Sequence, residues 1–157
     1  MEIELEESPR PVLDPDLLTS LRRGASVLRQ DSMAKRLARI KALRKAVSDH
    51  QTALHEAFQK DLGRNAEAVD LSEVLPLALE INHTLSNAHA WARQERVGGP
   101  LPFLGTRSEV VIEPKGVALI IASWNYPLLL TLGPLVSALA AGCAAVIKPS
   151  EFAPNVA

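Results

Sequence analysis

Two clusters of chemically capable residues stand at either end of an apolar stretch: Ser123-Trp124-Asn125-Tyr126-Pro127, and Lys148-Pro149-Ser150-Glu151. Positions 116 to 147 between Lys115 and Lys148 hold no charged residue. A carboxylate such as Glu151 only accepts hydrogen bonds, so it can take both hydroxyls of a ribose. The ammonium of Lys148 donates, and suits a ribose oxygen or a 2′-phosphate. The Asn125 amide and the Trp124 indole add donors without charge. An acidic residue just past the second strand of a βαβ unit is where dinucleotide-binding folds hold the adenosine ribose. The first turn lacks G-x-G-x-x-G, so the common dinucleotide fingerprint is absent.

These groups meet only if the chain between them folds back. Val117–Ile121 is a short β-branched run suited to a strand buried on both faces. Pro127 drives Tyr126 away from helical angles, and Thr131 is placed to cap a helix through Ala141, with Pro134 in its first turn and Gly142 as its stop. Ala144–Ile147 supplies a second strand. Strand, helix, strand in that order crosses over right-handed and leaves both strand C-termini on one edge of a parallel sheet. That edge carries Trp124 and Asn125 from one strand, and Lys148, Ser150 and Glu151 from the other. Ligands of open α/β sheets sit there.

Upstream, the periodicity is helical. Asp14-Pro15-Asp16 is a helix start, with Leu17, Leu18, Leu21, Ala25 and Leu28 at helical spacing and an end near Gln30. Asp31 or Ser32 caps a second helix with the stripe Leu37, Ile40, Leu43 and Val47, continuing past a break near Asp49 through Leu54, Ala57, Phe58 and Leu62 to Gly63. A third block over 65–96 carries Leu71, Val74, Leu75, Ala78, Ile81, Leu85, Ala88 and Trp91, with a kink or a break expected at Pro76. Gly98-Gly99-Pro100-Leu101-Pro102 reads as a linker, and Thr106–Glu113 alternates like a strand. Met1–Asp14 reads as a loose acidic lead-in. The organisation expected is helices over 1–97, linker and strand over 98–116, and an α/β unit from 117.

Whole-chain properties exclude several classes. The 157 residues are 47% hydrophobic, enough for one ordinary domain. A net charge of −1 argues against a dedicated nucleic-acid binder. One cysteine rules out an internal disulfide framework and suits a reducing, cytoplasmic compartment. The acidic start MEIELEESPR is unlike a secretory signal. The uncharged run has bilayer-spanning length, but Asn125, Tyr126-Pro127, Gly133-Pro134 and Gly142 cut it into pieces too short to span. Lys35, Arg36, Arg39, Lys41, Arg44 and Lys45 form a basic helix face, read as solvated rather than as an anion site. His50/His55 and His83/His89 miss the spacing of three or four that a helical metal pair needs, so no metal site is expected. Cys143, in the turn before the second strand, reads as a small buried hydrophobe rather than a nucleophile.

The sequence resembles the aldehyde dehydrogenase superfamily, and most closely its class 3 branch acting on fatty and aromatic aldehydes. The matching pieces are Glu113-Pro114-Lys115-Gly116-Val117, Ser123-Trp124-Asn125-Tyr126-Pro127, Gly133-Pro134-Leu135-Val136, Ala140-Ala141-Gly142 and Lys148-Pro149-Ser150-Glu151, with Lys60-Asp61-Leu62-Gly63 and Glu80-Ile81-Asn82 upstream. The resemblance implies an α/β fold: an amino-terminal helical segment, then the first βαβ of a Rossmann-like cofactor domain. It implies oxidation of an aldehyde to a carboxylic acid with NAD or NADP. A cysteine thiolate attacks the carbonyl, an asparagine amide holds the oxyanion, and a glutamate activates the hydrolytic water. Asn125 matches the oxyanion asparagine. Lys148 and Glu151 match the adenosine-ribose contacts, and Ser123, Trp124 and Ser150 would line the cofactor cleft. Glu151 favours NAD, while Lys148 can accommodate a 2′-phosphate. The Glu-Leu-Gly-Gly and Gly-Gln-x-Cys motifs and the pyrophosphate glycines do not occur in these residues. The chain is therefore expected to be a truncated part of a homodimeric parent and inactive alone. The alternatives are a non-catalytic piece that pairs with a full-length homologue, and an acyl-CoA-forming semialdehyde dehydrogenase relative.

Overall fold

A computed structural model describes residues 15–98, 101–103 and 105–157. The lead-in 1–14, with the Asp14 cap, and part of the 98–102 linker lie outside the described residues. Helix α1 covers Pro15–Arg29, α2 Met33–Asp49, α3 Gln51–Leu62 and α4 Ala66–Val69. A π-helical turn over Asp70–Val74 leads into α5, Leu75–Trp91. Strands β1 (Glu95–Val97) and β2 (Ser108–Val110) form an antiparallel ribbon. Then come β3 (Val117–Ile121), α6 (Pro127–Ala141) and β4 (Ala144–Lys148).

The predicted βαβ unit forms. Strands β3 and β4 pair parallel and in register from Val117↔Ala144 to Ile121↔Lys148. One further bond, Ala122 N to Lys148 O at 3.0 Å, ties the strand ends together. Helix α6 packs on one face of this pair and α1 on the other. The core lies between α6 and the helical segment, built from Leu37, Ile40, Phe58, Val69, Leu77, Ile81, Leu128 and Val136. Phe58, Ile40 and Val136 are fully buried, each worth about 1.5–3 kcal/mol in removed apolar surface. No helix among the described residues is long and apolar enough to cross a membrane.

Where local signals rule, the expected boundaries hold. Ser32 caps α2 by accepting from Lys35 N. Gly63 and Gly142 end α3 and α6 at φ +64° and +81°, angles that L side chains rarely adopt. The break near Asp49 is present, and the stripes of α2 and α3 face the core.

Five expectations are corrected. Helix α6 begins at Pro127, not Thr131; Thr131 lies inside it, its hydroxyl donating to Pro127 O at 2.5 Å, and Pro134 is interior. The interruption expected at Pro76, by contrast, is present: a π turn separates α4 from α5 there. That turn bonds Leu75 N to Asp70 O, and this wider turn relieves the clash that the Pro76 ring would make with the carbonyl of residue 72. The buried stripe of the third block is Val69, Glu73, Leu77, Ile81, Thr84 and Ala88, while Leu71, Leu75 and Trp91 are exposed. The block also ends early: Glu95–Val97, read as helix, is a strand, with Arg96 opposite Glu109. Its partner is correspondingly short, Ser108–Val110 rather than Thr106–Glu113, because β1 offers only three positions to pair with. Lastly, β3 is only partly covered on the face that α1 packs against: Leu119 and Ile121 are 64% and 68% exposed.

Candidate active-site rim

The parallel register of β3 and β4 decides the site. Because Ile121 and Lys148 are partners, the two segments that follow leave the same edge of the sheet. Ser123, Trp124 and Asn125 therefore share one rim with Lys148, Ser150 and Glu151.

On the first arm, Asn125 is half-buried and tied on both sides of its Cα. Its side-chain Oδ1 accepts from Ser123 Oγ at 2.7 Å, and its backbone carbonyl accepts from Arg64 Nη2 at 2.7 Å. The Nδ2 donors have no protein partner among the described residues. Trp124 and Tyr126 are 53% and 40% exposed, and the Arg64 guanidinium lies over the Tyr126 ring at 5.1 Å from its centroid.

On the second arm, the exposed Lys148 Nζ and Glu151 carboxylate pair with each other. That hydrogen bond, with the positive charge beside it, holds the Glu151 carboxyl below the usual carboxylate range. The pair thus offers an ionised acceptor next to a donor, which is the chemistry a ribose diol asks for. Ser150 differs from its neighbours. It is 6% exposed, and its Oγ accepts from Phe152 N at 3.3 Å, which makes it part of the turn.

Three residues that the sequence did not assign to the site, Asp61, Arg64 and Glu73, hold these arms in place. Glu73 is wholly buried, yet both of its oxygens have partners. Its Oε2 accepts from Leu129 N at 2.8 Å at the start of α6, and its Oε1 meets Arg64 Nη1 at 3.3 Å. Burial raises the Glu73 carboxyl above its ordinary range, more than the α6 N–H groups and Arg64 lower it. Asp61, at the end of α3, accepts from Asn155 N at 2.8 Å, Val156 N at 3.0 Å and Asn155 Nδ2 at 2.5 Å. Burial raises its carboxyl, but those three bonds outweigh it and leave the group below the normal range. Glu73 had a sequence signal: it stands four residues from both Val69 and Leu77, in the phase of the buried stripe. A stripe drawn through Leu71 and Leu75 misses it.

The basic face of α2 is largely occupied by protein partners. Arg36 reaches Ala140 O and Ala141 O at the end of α6, Lys35 and Arg39 pair with Asp31, Arg44 with Asn82 and Lys45 with Asp49. Cys143 is buried, as expected of a packing residue. Two larger hollows, of 560 and 690 Å³, lie between α1 and the base of the sheet and between α2 and α5, away from the rim.

Comparison with known proteins agrees with this architecture. Residues 18–157 match the profile of the Aldehyde dehydrogenase family. Human aldehyde dehydrogenase family 3 member B1 is 40% identical over 146 residues, 92% of this chain and 31% of the relative. The 4,4′-diaponeurosporen-aldehyde dehydrogenase of Staphylococcus aureus is 38% identical over 122 residues, 78% of this chain and 27% of that protein. A substrate-bound structure of Staphylococcus aureus AldH superposes with a TM-score of 0.85 at 32% identity, over 90% of this chain and 31% of the other. A Staphylococcus aureus betaine aldehyde dehydrogenase in complex with NAD+ gives 0.77 at 28% identity, over 88% and 28%. With its helices, its parallel β3–β4 pair and its rim, and spanning 27% to 31% of the length of those relatives, the chain belongs to the aldehyde dehydrogenase family, with family 3 members among its relatives.

Proposed function

We propose that this chain supplies the oxyanion donor and the adenosine-ribose contacts of an NAD(P)-dependent aldehyde dehydrogenase that oxidises an aldehyde to a carboxylic acid. The observation that carries the reading is the free Nδ2 of Asn125 on the same rim as the Lys148–Glu151 pair. When bound, the nicotinamide cofactor accepts hydride. Glu151 and Lys148 would hold its ribose, and the exposed Trp124 would flank it. NAD is favoured by the carboxylate, with NADP use open through Lys148. Ser123 holds Oδ1, so the amide nitrogen is the end offered to the substrate. An amide stabilises developing negative charge without a full positive charge that would trap a carboxylate product. Nucleophile and general base would come from other parts of the enzyme.

In the same proposal, the helices between 15 and 91 pack against a cofactor domain that starts near 117, and the parent is a cytoplasmic homodimer. The partly uncovered sheet face carrying Leu119 and Ile121, which are exposed, supports association with further protein. The same surface favours a second reading, a non-catalytic piece that pairs with a complete homologue. The test is Asn125→Ala in the enzyme that contains this chain. Aldehyde turnover should fall about 10²–10³-fold while KM for NAD holds. Undiminished turnover would remove Asn125 from the mechanism.

A further inference from the structure

We propose that Arg64 and Glu73 act together as positioning residues for Asn125, setting its amide from the helical layer beneath the rim. The catalytic consequence rests on the Asn125 reading above, but the positioning itself can be observed without turnover.

The argument starts from an anomaly. A fully buried carboxylate is costly unless its oxygens are satisfied, and an apolar residue of similar volume would pack there at no such cost. Both Glu73 oxygens are used, and in different directions: Oε2 on Leu129 N, in the first turn of α6, and Oε1 on Arg64 Nη1. Arg64 does not stop at the acid. Its other nitrogen, Nη2, donates at 2.7 Å to the carbonyl of Asn125, and its Cζ lies over the Tyr126 ring. A guanidinium can do this because its donors are fixed in one rigid plane, so a partner on one nitrogen sets the direction of the other. The result is a bonded path from the π turn ahead of α5 to the Asn125 peptide. Ser123 fixes the side chain of the same residue from the opposite side. With backbone and Oδ1 both held, Nδ2 is left in one orientation. Preorganisation of that kind is what an oxyanion donor needs, because a donor that must be ordered during the reaction loses its advantage. The π turn supplies the remaining link. Glu73 sits within it, and Asp70 at its first position is fastened to His55 at 2.7 Å and Gln51 at 2.8 Å on α3.

The test uses the 157-residue chain in a Trp91→Phe background, which leaves Trp124 as the one tryptophan. Arg64→Met, Arg64→Lys and Glu73→Gln are compared by NMR relaxation of the Asn125 side-chain NH₂, by Trp124 anisotropy decay, and by urea midpoint. Arg64→Met should loosen both reporters and speed local opening of the loop about tenfold, and Arg64→Lys should restore part of the order through a single donor. If Arg64→Met fails to fold, Glu73→Gln carries the same comparison, since its amide oxygen still serves Leu129 while the charge that holds Arg64 is gone. A lowered urea midpoint with NH₂ order and Trp124 anisotropy unchanged would overturn the proposal, leaving the pair a packing feature. If order is lost as expected but Asn125→Ala leaves turnover of the complete enzyme intact, the positioning stands and the oxyanion assignment fails instead.

Discussion

At its carboxyl end α6 stops on Gly142 at φ +81°, and Arg36 caps the exposed carbonyls, with Nη1 3.3 Å from Ala140 O and 3.0 Å from Ala141 O. At its amino end no side chain of the local sequence caps the helix; the buried Glu73 does, reaching Leu129 N from 56 residues away. Both partners come from the helical segment, and each complements the helix dipole: acid at the positive end, guanidinium at the negative end. They differ in burial. Arg36 is partly solvated and spreads its donors over several carbonyls, including Asp31 O and Arg29 O. Glu73 is sealed from water and depends on two partners. A cap of the first kind loosens gradually when disturbed. One of the second kind has nowhere to relax, and it sits next to the residue that carries the proposed chemistry.

The sharpest way to break that contrast is Glu73→Ala. It strands Arg64 and unbonds the start of α6, and should lower unfolding free energy by about 3 kcal/mol in urea titrations at pH 7. A loss under about 1 kcal/mol would make the two ends equivalent. Next in size, Gly142→Ala should cost about 1–2 kcal/mol for the left-handed angle. Its new Cβ would also stand 2.5 Å from Arg36 Cζ, so Gly142→Ala and Arg36→Ala together should cost less than the sum of the two, read from a double-mutant cycle.

Acid titration sharpens the comparison further. Asp31 is held low by Arg39, Asp70 by His55 and then Gln51, and Glu151 by Lys148, with Asp61 low through its bonds to Asn155 and Val156. Each binds its proton less readily folded than unfolded. Their stabilisation is complete above about pH 4–5 and is lost as pH falls through the folded values. Glu73 is shifted the other way, so its contribution is greatest at low pH and falls as pH rises above about 4.3. The cost of Glu73→Gln should therefore shrink between pH 4 and pH 7 in urea midpoints. A cost that grows would mean that pairing with Arg64 outweighs burial. The smallest effect is expected on the rim. Lys148 and Glu151 are exposed, so Lys148→Ala should leave the thermal midpoint unchanged while raising KM for NAD in the complete enzyme.

The two ends of α6 also show why some features were legible from sequence and others were not. The stop at Gly142 follows from a single residue's backbone freedom, so it could be placed without a fold. The start could not. Thr131 has the chemistry of a cap and was assigned that role, but a cap from another segment let the helix begin at Pro127. The same distinction explains the third helical block: its helicity was periodic and visible, but which stripe faced inward depended on α6 being there to cover it. Glu73 then reads as a surface acid when it is a buried one. The sequence reads β1 as helix and β2 as too long for a related reason, since each strand exists only where the other pairs with it.

The sequence by itself determined the strand–helix–strand order, the Gly63 and Gly142 stops, and the two polar clusters with their family resemblance, because local backbone preference and residue chemistry are properties of short segments. Tertiary structure alone decided that Asn125, Lys148 and Glu151 share a rim with register set by Ile121↔Lys148. It alone decided that Asp61, Arg64 and Glu73 reach across from the helices to hold it. Hydrogen bonds between residues 56 to 95 positions apart follow from packing, which local preference does not encode.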